Sequence, residues 1–94
     1  MLTKDELHIA KAALPNWDFN ESSITRHFEF TDFRTAFAFM TEVALISESI
    51  KHHPKWYNNY NVVDIELITK EEHSLTAKDI ELANAIDELV DGNN

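Results

Sequence analysis

The spacing of apolar positions changes several times along the chain, and each change marks an element. Leu7, Ala10 and Leu14 recur at helical spacing behind Thr3-Lys4-Asp5-Glu6, a stretch that fits a capping box with Thr3 as N-cap. Pro15 ends that short helix. Trp17-Asp18-Phe19 and Ser23 to Phe30 then read as two strands around a turn at Asn20-Glu21-Ser22. In the second, Ile24, Arg26, Phe28 and Phe30 alternate with Thr25, His27 and Glu29, as in a half-buried strand. Arg26 interrupts the apolar face and is expected near an edge or an opening. His27 falls on the polar face, as a solvent-exposed residue.

From Asp32, a suitable N-cap, the pattern turns helical and meets no Gly or Pro before Pro54. His53 is expected as the last residue of this helix or the first beyond it, because proline disfavours the α conformation in the residue before it. Phe33, Ala36, Phe37, Phe39, Met40, Val43, Ala44, Ile46 and Ile50 cover more than the ~100° stripe that one core contact needs. Leu45 and Ala38 lie outside even that arc. The excess points to a second buried surface against another subunit, with a broad core contact plus a stray exposed Leu as the competing explanation.

Trp56, Tyr57 and Tyr60 among Asn58, Asn59 and Asn61 suggest a strand and its turn, followed by a strand from Val62 to Thr69. There Val63, Ile65 and Leu67 share one face, while Asp64, Glu66 and Ile68 take the other. Lys70 to Ser74 reads as a loop. Thr76-Ala77-Lys78-Asp79 opens a last helix, with Asp79 near its positive end. Leu82, Ala83, Ile86, Leu89 and Val90 form its buried stripe, and Gly92 stands where a helix stop belongs. The order is α-β-β-α-β-β-α. One-sided strands of this kind imply an α+β fold, a four-stranded antiparallel sheet with three helices on one face, as a single domain over residues 1–94.

The one concentration of chemistry is Glu48-Ser49-Ile50-Lys51-His52-His53-Pro54-Lys55-Trp56. Imidazole exchanges protons in either direction near neutral pH, and two of them stand at a corner stiffened by proline. A His pair at a helix C-terminus can equally be a cap for free carbonyls. Residue types alone leave both readings open. Adjacent helical residues diverge by about 100°, so His52 and His53 are poorly placed to chelate one metal ion from a regular helix. No metal is expected.

Composition narrows the function classes further. With 44% apolar and 11% aromatic residues the chain is a folded globule, and without cysteine it has no thiolate chemistry. The net charge is −9, with seven acids against one base over residues 71–94. Such a surface repels phosphate backbones, so no direct nucleic-acid contact is expected. No apolar run spans a bilayer and Met1 to Glu6 is unlike a signal peptide, so a cytoplasmic protein without membrane partners is the expectation.

Glu48-x-x-x-His52-His53-Pro54-x-Trp56, Tyr60-Asn61-x-Val63 and Leu75-Thr76-x-x-Asp79-Ile80-x-Leu82-Ala83 together resemble pterin-4a-carbinolamine dehydratase. The likeness runs from the first helix through the last. It implies loss of water from a 4a-hydroxytetrahydropterin, giving a quinonoid dihydropterin for recycling, with no metal and no redox cofactor. It also implies an acid/base role for His52 and pterin binding by His53 with proton transfer as its second role, with Glu48 one helical turn before His52 to orient it and Asp79 reaching in from the last helix. The substrate-binding set implied is His52, His53, Pro54, Trp56, Tyr60, Thr69, Lys70 and His73. Lys70 departs from the family, where a His or Trp commonly follows the strand threonine. Lysine, with an ordinary pKa near ~10.4, is a fixed cation rather than a proton shuttle. His73 supplies the missing imidazole if the loop folds back, and is otherwise a solvent-exposed loop residue. Ser74 stands where the family usually has glycine. The family also includes a transcription-factor dimerisation cofactor and Rubisco-assembly factors, so a non-catalytic binding or assembly module is the alternative. Family members imply a homodimer or homotetramer.

Overall fold

A computed structural model describes residues 1–91. Its elements are α1 (Lys4–Ala13), β1 (Asp18–Phe19), β2 (Ile24–Glu29), α2 (Phe33–Ile50), β3 (Lys55–Asn59), β4 (Val62–Leu67) and α3 (Ala77–Val90), with a 3-10 turn at Lys70–Glu72. The strands form one antiparallel sheet in the order β1-β2-β4-β3, and the helices cover one of its faces. This is the expected α-β-β-α-β-β-α arrangement. Gly92, expected to stop α3, lies outside the described residues.

Register decides which side chains meet the helices. Ile24 opposes Leu67 and Phe28 opposes Val63, so both strands turn apolar residues to the same face. These residues, with Ile65, bury against Ala36, Phe39 and Val43 of α2 and Leu82, Ala83 and Ile86 of α3. At roughly 1.5–3 kcal/mol for each large apolar side chain removed from water, this shared core is the main stabilising term. Thr3 and Glu6 close the expected capping box on α1.

Arg26 shares the helix-covered face of β2. β1 pairs only with Ile24 and Thr25, so Arg26 lies just past the point where β1 stops covering that strand. Its guanidinium donates to Asp87 (2.6 Å) and Asp91 (3.0 Å) of the α3 end and lies 4.6 Å from the Phe28 ring centroid. Burial disfavours the charge, but the hydrogen bond to Asp91 and the charges of Asp87 and Asp91 outweigh it and leave the Arg26 pKa raised. Trp17 Nε1 donates to the same Asp87 at 2.8 Å, tying the chain before β1 to α3.

Three features differ from expectation. α2 stops at Ile50 rather than at His52 or His53. Lys51 takes the left-handed conformation (φ 57°, ψ 44°), and the His52 N–H returns to the Ser47 carbonyl at 3.1 Å. That backbone closure ends the helix before Pro54 acts, and it uses lysine where glycine is usual. Leu89 is exposed rather than part of the α3 stripe, because the last turn borders an open groove with Phe30 and Ala38. The Lys70–Ser74 loop contains a 3-10 turn closed by a Thr69–Ser74 bridge. Phe33, Phe37 and Leu45 of α2 are large and exposed, with the Phe33 and Phe37 rings 5.5 Å apart.

Candidate active site

The site forms where the C-terminus of α2, the end of β4 and the first turn of α3 converge. Because α2 closes at Lys51, His52 and His53 stand in non-helical backbone and their rings diverge toward different carboxylates. His52 Nε2 lies 2.6 Å from Asp79 Oδ1, and His53 Nε2 lies 2.6 Å from Glu48 Oε2. The helical spacing that would set Glu48 against His52 no longer applies once the helix has ended. Glu48 therefore holds His53, and both are exposed.

Asp79 is fully buried at the third position of α3, where the helix dipole favours an anion. The Thr76 N–H (3.0 Å) and the Thr69 hydroxyl (2.7 Å) donate to its Oδ2. Thr69 Oγ1 is in turn 2.7 Å from Thr76 Oγ1, whose hydroxyl donates to it as the remaining pairing. With Oδ2 so occupied, Oδ1 is left for His52. A carboxylate only accepts, so the Nε2 hydrogen of His52 points at Asp79 and Nδ1 is the ring nitrogen left for other partners. The His52 side chain is 12% exposed, which holds that orientation while keeping an edge reachable.

Beside the rings lies a cleft of about 250 Å³ lined by Lys51, His52, His53, Ile68, Lys70 and Glu71. Of these, Lys51, Ile68 and Glu71 were not among the expected site residues, although they adjoin the His pair and Lys70 in the chain. Pro54 is half-buried at the corner. Trp56 is also half-buried, opposite Ile65 and against the core, and is not among the cleft lining. Tyr60 sits with φ 53° at the β3–β4 hairpin tip, roughly 20 Å along the strand from Pro54, so the fold does not bring it to the cleft. His73 is exposed behind the 3-10 turn with φ 50° and does not line the cleft either.

A larger groove of about 400 Å³ crosses the outer sheet face past His27, Lys55, Tyr57 and Asp64. Its His27 is held by Asp64 (2.6 Å) and Glu29 (3.2 Å) on open strands, so size alone does not locate the chemistry. The smaller cleft has the partly buried imidazole and its buried carboxylate. Among the described residues no three His, Asp or Glu side chains are grouped to hold a metal ion, and no helix is long and apolar enough to cross a membrane.

The family model described as Pterin 4 alpha carbinolamine dehydratase matches residues 1–89. The chain belongs to this family. A Rhizorhabdus wittichii protein provisionally named pterin-4-alpha-carbinolamine dehydratase is 46% identical over 92 residues, covering 96% of this chain and 95% of its own. A Prochlorococcus marinus protein with the same provisional name is 42% identical over 89 residues, covering 95% and 93%. The crystal structure of a transcriptional coactivator/pterin dehydratase from Brucella melitensis superposes with a TM-score of 0.88 at 42% identity, over 94% of this chain and 96% of that one. A pterin dehydratase-like protein described as a RuBisCO assembly factor in the alpha-carboxysome has a TM-score of 0.67 over 82% and 89% of the two chains. At 19% identity that likeness shows the fold alone.

Proposed function

We propose that the protein is a hydro-lyase that dehydrates a 4a-hydroxytetrahydropterin to the quinonoid dihydropterin, using His52 and His53 as its acid/base pair. The carbon–oxygen bond at C4a breaks with its electron pair, and a proton supplied to the departing hydroxyl makes water. The lone pair of the ring nitrogen forms the new C=N bond as that nitrogen gives up its proton to a base. No electrons leave the system, so the reaction needs only positioned proton donors and acceptors, worth roughly 10²–10⁴ in rate.

The observation that carries the reading is the His52–Asp79 pair opening onto a cleft that His53 also lines. Asp79 and Thr69 act as positioning residues, and Glu48 steadies His53. In this reading Lys70 contacts the substrate without replacing the family imidazole. Membership of the family and the provisional names of relatives at 42–46% identity support the same reaction. The test follows 4a-carbinolamine dehydration with wild type, His52→Ala and Lys70→His. Turnover by wild type that is lost in His52→Ala supports the enzyme. Turnover appearing only in Lys70→His identifies a lapsed site.

The second reading is a binding or assembly module, and the exposed Phe33–Phe37 pair and Leu45 on α2 favour it. The same face suits self-association as a homodimer or homotetramer, which is compatible with catalysis. A cytoplasmic setting and no direct nucleic-acid contact complete the reading, the latter supported by the −9 charge.

A further inference from the structure

Lys51 and Lys70 give the cleft an electrostatic character unlike the rest of this chain. Both line it, together with one carboxylate, Glu71, and the two imidazoles. The chain carries 17 acids against 8 bases, so most of its surface repels anions. Elsewhere Arg26 pairs with Asp87 and Asp91 and Lys55 with Glu66, while Lys11 lies 6.0 Å from the Phe19 ring centroid; Lys4 and Arg34 stand singly among the described residues, away from any such cleft. Among the described residues neither Lys51 nor Lys70 has an ion-pair or hydrogen-bond partner for its ammonium group. Lys78 takes the carbonyl-capping role at this helix end, its Nζ donating to the Ile50 carbonyl at 3.0 Å, which leaves Lys51 without that task.

The lining itself carries two ammonium groups to one carboxylate, while the carboxylates of Asp79 and Glu48 are each taken up by an imidazole, at 2.6 Å from His52 and His53 respectively. An ammonium group is a compact point charge with three donors, suited to holding a phosphate or carboxylate. The backbone places one of these charges at some cost, since Lys51 occupies a left-handed position that glycine fills most easily. In the dehydration described above Lys70 touches the substrate, but a pterin with a neutral side chain offers neither ammonium group a counter-charge.

We propose that Lys51 and Lys70 make this cleft selective for a reduced pterin bearing an anionic side chain, a phosphate ester or a carboxylate, over one whose side chain is neutral. This rests on the pterin reading and names its substrate class. The imidazoles face the ring, and the two ammonium groups receive the anionic substituent at the cleft mouth. Glu71 sets a boundary to the positive region, so one anionic group is favoured over an extended polyanion.

Calorimetric titration of the full chain with three unreactive dihydropterins tests it: one with a neutral dihydroxypropyl side chain, its phosphate monoester, and one with a benzoylglutamate side chain. The expected result is roughly tenfold tighter binding of at least one anionic ligand than of the neutral one at low salt, shrinking as salt is added. Which anionic ligand gains identifies the substituent. In Lys51→Gln/Lys70→Gln the anionic-to-neutral ratio falls to about one, and each single variant loses part of it, which keeps the test readable if the double variant folds poorly. Equal affinities in wild type, or an advantage unchanged in the variants, overturns the inference while the pterin reading stands. Folded wild type that binds none of the three overturns the pterin reading and the inference with it.

Discussion

His52 and Asp79 stand 27 positions apart in the chain and 2.6 Å apart in the fold. One comes from the corner after α2 and the other from the first turn of α3, so packing of those two helices determines whether the pair exists. The partly buried imidazole and fully buried carboxylate satisfy each other, which is the condition for either to be tolerated inside.

Asp79→Asn keeps the shape but changes what His52 meets, since an amide can donate where the carboxylate only accepted. Dehydration is expected to fall by about 10²-fold or more, as the wrong ring tautomer faces the cleft. Stability is expected to drop by about 1–3 kcal/mol through the disturbed Thr69 and Thr76 hydrogen bonds. Steady-state kinetics and thermal denaturation of the one variant measure both; full activity would show that the pair is structural only.

His27 has a raised pKa because Asp64, and then Glu29, accept hydrogen bonds from its ring. A raised folded-state pKa means that the stabilisation is complete below the unfolded value, ordinarily 6.5, and is lost as pH climbs through the raised one. Melting temperature is therefore expected to decline above about pH 6.5 more steeply in wild type than in His27→Gln. Parallel curves for the two proteins would remove His27 from the account. Asp32 works in the opposite sense: the Thr35 N–H lowers its pKa, so its contribution fades as acid protonates it.

Phe33 and Phe37 are each about half exposed on a helix whose other face is already buried. Replacing Phe37 with Asp is expected to shift the protein toward a smaller species in sedimentation equilibrium, with little change in its circular dichroism, because the ring contributes nothing to the monomer core. An unchanged mass would place any association on another surface.

The element order was legible because strand and helix periods alternate cleanly, as in Ile24–Glu29 against Phe33–Ile50. The end of α2 was not, since it depends on Lys51 adopting a left-handed conformation for which its residue type gives no signal. That one residue displaced the expected partner of Glu48 from His52 to His53. Asp79 was legible in part: the Thr76-x-x-Asp79 spacing announces a carboxylate returning to the helix start. Its second oxygen meeting His52 depends on tertiary packing that no local pattern encodes. Tyr60 shows the opposite failure, since nearness in sequence to the His pair is undone by five residues of extended β3.

The most direct measurement is the rate of 4a-carbinolamine dehydration with wild type and with His52→Ala, each against the spontaneous reaction. Clear acceleration by wild type and a loss of roughly 10²-fold or more in the variant are expected. Equal rates for the two folded proteins would contradict acid/base catalysis by His52.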